Sequence, residues 1–482
     1  MQDNTNLPPN PSLFDRLNQW AGQSVMLKMA TIALLALILL IPLFRIQALV
    51  GERQNRRAEV IEEVSKSWAG EQGIAAPALV IPYTHKVPNA DKSGYIEVID
   101  ELIVLPEELN ITGDLSPDNR NRGLFDIIVY SANLAFEGNF VIPNVAREVG
   151  TTDELVHWEN AFLTLSLTDK RGITSAPTID WQGEKVSFGP GDNYLVGSEM
   201  TLPYPAGVNP YTRYFEKSTA APSGLKALAN LNGQPISPIK FKLAMSLHGT
   251  GSLAFLPLGK ETTVKLSSPW PSPSFAGAYL PVTHDTNEDG FNAKWAVSYL
   301  NRGFPQHSTD MIHKYSLEQA LLGVRLVEPV NSYVQTERSV KYGMLVIVLT
   351  FISFFLTEVI SKRRIHPFQY ILVGGALVVF YTLLLSISEH VSFEWAYLTS
   401  ALATIGLVTF YISAVLRSAK LTATQAAGLV IIYGFIFIIL RLEDYSLLAG
   451  SIGLFILISL LMVLTRRVNW YQNDGAIQSA SV

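Results

Sequence analysis

Six runs of apolar residues, each about as long as a bilayer core is thick, constrain this chain more than any other feature. They occupy 29–50, 342–361, 367–388, 395–416, 423–440 and 446–465. At about 1.5 Å rise per residue, roughly 20 such residues cross the hydrocarbon, and a helix does so alone because it satisfies its own backbone. The first run is long for a signal-peptide core and no small-x-small cleavage site follows it, so it is predicted to remain as an anchor. Charge follows the same division. Of the 36 Lys and Arg and 41 Asp and Glu, 57 lie within 52–338 and 15 within 339–482. One part of the chain is lipid-like and the other is an ordinary globular domain.

Short loops orient such a chain through their Lys and Arg content. Loop 362–366 carries Lys362, Arg363 and Arg364; loop 417–422 carries Arg417 and Lys420; the tail carries Arg466 and Arg467. The alternate loops hold Arg441 alone, against Glu389, Glu394, Glu443 and Asp444. The predicted arrangement is a cytoplasmic N-terminal tail 1–28, a span 29–50, a periplasmic domain 52–338, a five-helix bundle 342–465 and a cytoplasmic tail 466–482. Arg53, Arg56 and Arg57 argue the other way, interleaved with Glu52 and Glu59.

After the first span, GERQNRRAEVIEEVSKSW places Val60, Ile61, Val64 and Trp68 on one helical face, so the helix is expected to continue as a stalk. Beyond it come short segments rich in β-branched and aromatic residues, punctuated by Gly, Pro, Asn and Asp: ALVIPY, GYIEVIDELIVL, IKFKLAMSLHGTGSLAFLPLG and others. The expected fold is an α-helical integral membrane protein with a large, mainly-β extracytoplasmic domain. That domain is antiparallel and sandwich-like, or built as two β lobes; SANLAFEGNFVIP and MSLHGTGSLAFLPL are loosely alike, as a duplication would make them.

The net charge of −5 has no basic block, so nothing points to nucleic acid. With no cysteine there are no disulfides and no thiol chemistry. Eight scattered histidines make no metal motif, no nucleotide or nucleophile-elbow motif occurs in the right context, and no cofactor is indicated. The candidates are therefore lone polar groups. Glu358 is the one carboxylate within an apolar run, either an ion site or a partner of Lys362 one turn on. Glu389 and His390 either make a relay, with Glu394 or with the periplasmic domain, or close a helix. His366-Pro367 reads as a helix start. Arg441 with Glu443 and Asp444 reads as an exposed ion pair. Asp169-Lys170-Arg171-Gly172 reads as a turn, with Arg171 able to pair with a buried carboxylate. Trp270, in SSPWPSPSF, is a binding edge or a core plug at a corner.

Several longer stretches are distinctive: GSLAFLPLGKETTVKLSSPWPSPSFAGAYLP (251–281), LLGVRLVEPVNSYVQTERSVKYG (321–343), FFLTEVISKRRIHPFQYILVG (354–374) and LLLSISEH (383–390), with PALVIPY and DKRGI upstream. They resemble the CreD family of bacterial inner-membrane proteins from the first span to Trp470-Tyr471. Ser272 stands where the family's WPHPSF has histidine, which argues against metal or acid–base work at that position. The resemblance implies an inner-membrane protein with a large periplasmic domain, linked to envelope integrity, to a two-component stress regulon, and to altered tolerance of colicins and β-lactams. It implies no enzymatic activity, ligand or catalytic residue.

Two functions are consistent with these observations. In one, the β domain binds or senses an envelope protein or cell-wall component while the helices hold it at the lipid bilayer. In the other, the helices form a transporter or intramembrane enzyme for a lipid-linked or small substrate, acting through Glu358 and His390.

Overall fold

The computed structural model describes residues 25–88, 94–195, 200–202, 223–235, 238–311, 313–328, 332–361, 365–442 and 445–466. It divides into two compact units, Gln54–Val330 and the residues on either side of that segment.

The first apolar run forms α1 (Val25–Ile38) and α2 (Leu40–Trp68). The break at Leu39 has a local cause. Pro42 has no N–H and its ring collides with the carbonyl four residues back, so it is tolerated only in the first turn of a new helix. α2 then runs through the amphipathic stretch read as a stalk, and Val60 is buried on it.

The Gln54–Val330 unit contains two sheets. The strands of the first, in order across the sheet, are 273–277, 322–326, 252–255, 72–88, 162–167, 223–228 and 189–191, with 95–104 paired to 72–88 and 307–308 paired to 95–104. The second runs 283–287, 290–298, 261–268, 108–122, 125–140, 239–250, 178–181, 184–187. Most pairings are antiparallel; Gln72–Ile74 with Leu253–Phe255 and Glu261–Ser267 with Glu108–Asp114 are parallel. Alternation decides the faces: on Ile239–Thr250, Ile239, Phe241, Leu243, Met245 and Leu247 are buried while Lys240, Lys242 and Ala244 face out. A single core takes Leu79, Phe162, Phe255 and Val324 from the first sheet and Leu109, Phe136, Phe241 and Trp295 from the second. Phe136 meets Phe255 edge-on across it. The arrangement is thus a sandwich with one core rather than two lobes. The two loosely similar segments are not equivalent halves: 131–140 lies in one strand of the second sheet, whereas 245–258 begins in the neighbouring strand 239–250 and passes into strand 252–255 of the first sheet.

A one-turn helix, α3 (Val145–Val149), interrupts the strands. The other unit continues with α4 (Ser332–Lys341), α5 (Gly343–Ser361), α6 (Pro367–Ser388), α7 (Phe393–Leu416), α8 (Ala419–Arg441) and α9 (Ser446–Thr465). Among the described residues, five helical stretches are long and apolar enough to cross a membrane: Lys28–Trp68, α5, α6, α7 and α8; α9 occupies the last run read from the sequence. Gly374 lets the α1–α2 junction approach α6, because a Cβ there would run into Leu39 Cδ1. Phe380, Tyr397 and Tyr433 pack edge to face where α6, α7 and α8 meet.

Candidate functional site

Glu358 lies in the last turns of α5 and is buried. A carboxylate in that position must be neutralised or paired. Its partner is Lys28 of α1, whose Nζ forms the ion pair and also donates to the carbonyl of Ile365 at 3.0 Å. The Tyr370 hydroxyl of α6 donates to the second carboxylate oxygen at 3.4 Å. One turn earlier on α5, Ser353 Oγ donates to Gln425 Oε1 of α8 at 3.0 Å, and Gln425 Nε2 donates to Ser353 O at 3.1 Å and to Thr357 Oγ1. Lys28, Glu358, Tyr370 and Gln425 therefore join α1, α5, α6 and α8 through polar contacts inside an apolar bundle. The expected i,i+4 partner, Lys362, lies outside the described residues, and Lys28, assigned from sequence to the tail, belongs to a helix. Its position at the mouth of an apolar run was the available signal.

The opposite end of α6 is built differently. Glu389 is the C-terminal cap of α6, with Arg53 Nε at 3.5 Å and the Tyr333 hydroxyl donating to it at 3.3 Å. His390 is exposed, and its main-chain N–H donates to Ile387 O at 3.0 Å. Glu389 thus pairs with α2 and α4 rather than forming a relay with its neighbour. Tyr370, which marks Glu358, and His390 are 20 residues apart along α6, about 30 Å at 1.5 Å per residue. The structure does not bring Glu358 and His390 into one site. At the start of α6, His366 Nδ1 accepts from Phe368 N and Gln369 Oε1 accepts from His366 N, with Pro367 in the first turn. The sequence reading of a helix start there was right. Arg441 lies 5.9 Å from the Phe437 ring centre; Glu443 and Asp444 lie outside the described residues.

In the β-rich unit, Asp169 caps the short turn Lys170–Gly172 and is buried. Arg171 grips it with two donors, Nε to Oδ1 at 2.9 Å and Nη2 to Oδ2 at 2.7 Å, and its Nη1 donates to Lys66 O at 2.8 Å. Gly70 N donates to Asp169 Oδ2 at 3.0 Å, and Thr250 Oγ1 donates to Ala69 O at 2.7 Å. Burial pushes the Asp169 carboxyl up, but the hydrogen bonds from Arg171 and Gly70 outweigh it and hold the group below its ordinary range. The turn is therefore a clamp on the exit of α2: Arg171 occupies the orphan carbonyl of the helix end. Trp68 stacks on His248 at 4.0 Å beside it, under the Arg120 guanidinium at 4.8 Å. Open clefts of about 720 Å³ beside Asp180, Gln234 and Lys242, and about 480 Å³ beside Asp114, Lys265 and Lys294, lie on the second sheet. No group of three or more His, Cys, Asp or Glu able to hold a metal occurs among the described residues.

The family model of the inner membrane protein CreD matches residues 24–471. The chain belongs to the CreD family. It is 28% identical over 447 residues to the inner membrane protein CreD of Escherichia coli K12, covering 92% of this chain and 93% of that one. Family membership and the apolar helices make it an inner-membrane protein. Among solved structures, two of an M1 zinc metallopeptidase variant from Deinococcus radiodurans, one of them bound to a Tyr-Ser-Ala substrate, align at 10% identity and a TM-score of 0.19. The alignment covers 40% of this chain and 38% or 39% of that one, too distant a likeness to carry an argument.

Within this CreD-family chain, Trp270 occupies the crossover from strand 261–268 of one sheet to strand 273–277 of the other. Its indole N–H donates to Val327 O at 2.9 Å and Ser272 O accepts from Val327 N at 3.2 Å. Of the two sequence readings, the corner plug is the one this packing supports. Two buried arginines carried no sequence signal. Arg325 pairs with Glu71 and donates to Leu202 O at 2.8 Å. Arg302 donates to the carbonyls of Pro257 and Leu258, and burial lowers its pKa to about 10.

Proposed function

We propose that this protein supports cell-envelope integrity from the inner membrane, with residues 52–338 on the periplasmic side binding or sensing an envelope component. One observation carries the reading: a folded unit of its own, Gln54–Val330, is inserted between the first span and the remaining helices. A domain tethered by helices at both ends stays near the bilayer surface, which suits contact with lateral or membrane-proximal partners. The sidedness rests on the seven cations of loops 362–366 and 417–422 and of the tail, against Arg441 alone in the loops between them. The three arginines that oppose it are each engaged: Arg53 with Glu389, Arg56 with Glu59 at 2.6 Å, and Arg57 with Glu328 at 2.7 Å.

Binding without a reaction accounts better for the membrane unit than transport or catalysis does. Two of its acids, Glu358 and Glu389, the ones the alternative would use or place beside His390, are held by partners on neighbouring helices at opposite ends of α6. The test is complementation. A strain lacking the protein should change its tolerance of β-lactams and of envelope-active detergents, and wild type and His390→Ala should restore it equally. Unchanged tolerance in the deletion strain contradicts the envelope role; loss of rescue by His390→Ala revives the intramembrane-site reading.

A further inference from the structure

Strand 95–104 is the outermost at its side of the first sheet. Only its last residues are paired outward, Val104 and Ile103 with His307 and Ser308, continued by Leu105 N donating to Gln306 O at 2.9 Å. The direction of the remaining main-chain groups can be worked out. In an antiparallel ladder, residues alternate between exchanging hydrogen bonds with the neighbour and facing away from it. Pro82 O accepts from His157 N and Thr84 O accepts from Thr151 Oγ1, so both residues face away from strand 95–104. Their register partners, Glu101 and Ile99, therefore face the open side, as do Glu97 and Tyr95 two and four residues on. Pro88, which has no N–H to give, sits opposite Tyr95 as this alternation requires. The Glu101 N–H is taken by the Asp100 carboxylate at 2.9 Å. Tyr95, Glu97 and Ile99 thus leave an unpaired edge among the described residues, and their side chains share one face.

That face is apolar and open. Tyr95 is 73% exposed and Ile99 68%, with Glu97 between them. Lys86, across the strand from Glu97 at 4.0 Å, leaves both side chains about two-thirds exposed. Natural sheets blunt exposed edges with lysine, proline or bulges; this one carries large apolar side chains on its open side.

We infer that the edge Tyr95–Ile99 is a docking site for an extended segment of another polypeptide that reads apolar–x–basic–x–apolar. The main-chain groups require a strand. An antiparallel strand there would continue the pairing that His307–Ser308 begins. Cross-strand pairing sets apolar side chains against Tyr95 and Ile99 and Lys or Arg against Glu97. A second copy of this chain fits poorly, because the register that uses all three residues places Glu97 opposite Glu97. This inference deepens the proposed binding role, and it is tested on purified protein so that its outcome does not depend on which side of the membrane the unit faces.

The probe is a fluorescein-labelled Thr-Val-Thr-Lys-Thr-Val-Thr peptide, with Glu in place of Lys as its counterpart, titrated by anisotropy against the full chain in detergent. The Lys probe should bind and the Glu probe should not. Ile99→Pro, which removes an outward-facing N–H and part of the apolar side chain, should weaken the Lys probe by about fivefold or more, and Ile99→Val, which keeps the N–H, should retain it. Glu97→Lys, at an exposed site that keeps the fold, should exchange the preference between the two probes. Absence of binding, equal binding of both probes, or a preference unchanged by Glu97→Lys overturns the assignment.

Discussion

Replacing Lys28 with methionine removes the cation from the Glu358 ion pair while keeping most of the side chain's apolar length. What remains for the carboxylate is the Tyr370 hydroxyl at 3.4 Å. Breaking a fully buried pair costs about 3–5 kcal/mol and an exposed pair about 0–1. Lys28 is 25% exposed and Glu358 10% at the side chain, so the expected loss lies between these, about 2–3 kcal/mol. At about 1.4 kcal/mol per decade, that shifts the folding equilibrium roughly 30- to 140-fold. Removing both charges, Lys28→Met with Glu358→Gln, should recover more than half of the loss, because the penalty comes from the stranded carboxylate rather than from a missing attraction. The exchange Lys28→Glu with Glu358→Lys should also recover part of it. The assay is reversible SDS titration of the purified protein in mixed micelles, followed by circular dichroism. A single variant within about 0.5 kcal/mol of wild type, or a double variant no better than the single, would refute the reasoning, since either outcome means that the pair does not hold α1 to the bundle.

Further outcomes follow from other contacts. Arg171→Ala strands the buried Asp169 and an orphan helix carbonyl, and should destabilise the β-rich unit by about 2–3 kcal/mol, a fall of roughly 4 °C in its melting temperature by calorimetry. Asp169 has its pKa lowered from 3.8 on folding, so its contribution is complete above that value and is lost as pH falls through the folded pKa; acid melts should show this step in wild type and lose it in Arg171→Ala. Trp270→Ala should cost about 2–3 kcal/mol, less than for a fully buried ring, and Trp270→Phe should restore all but about 1 kcal/mol, the hydrogen bond to Val327 O. Gly374→Ala should destabilise the membrane unit by about 1–2 kcal/mol through collision with Leu39, and Leu39→Ala in the same chain should relieve that collision in the same SDS titration.

Much of this architecture was legible in the sequence, where local chemistry decides it. Hydrophobic length alone located the helices, the amphipathic stretch after the first run marked the continuation of α2, and His366-Pro367 announced its own helix start. The Asp169–Arg171 turn read correctly because capping acts within three residues. What could not be read was pairing between distant segments. Lys28 meets Glu358 across 330 residues, and no period or spacing links them, so the local partner Lys362 was the natural assignment. Glu389 next to His390 suggested a pair along the chain, whereas the fold brings Arg53 and Tyr333 to Glu389 from α2 and α4. Two similar strand segments suggested duplicated lobes, but the strand order interleaves early and late segments around one core, and strand order leaves no trace in alternation. The open edge at Tyr95–Ile99 was likewise invisible, since exposure of an apolar residue depends on which strand lies beside it.

Membrane threading supports the whole functional account, and one labelling experiment addresses it. The chain has no cysteine, so single replacements of exposed residues, Glu288→Cys in the β-rich unit and Lys420→Cys in the first turn of α8, report sidedness without background. In intact spheroplasts a membrane-impermeant maleimide should modify the first and reach the second only after lysis. Modification of Lys420→Cys before lysis, with Glu288→Cys protected, would invert the topology and remove the basis for an envelope partner.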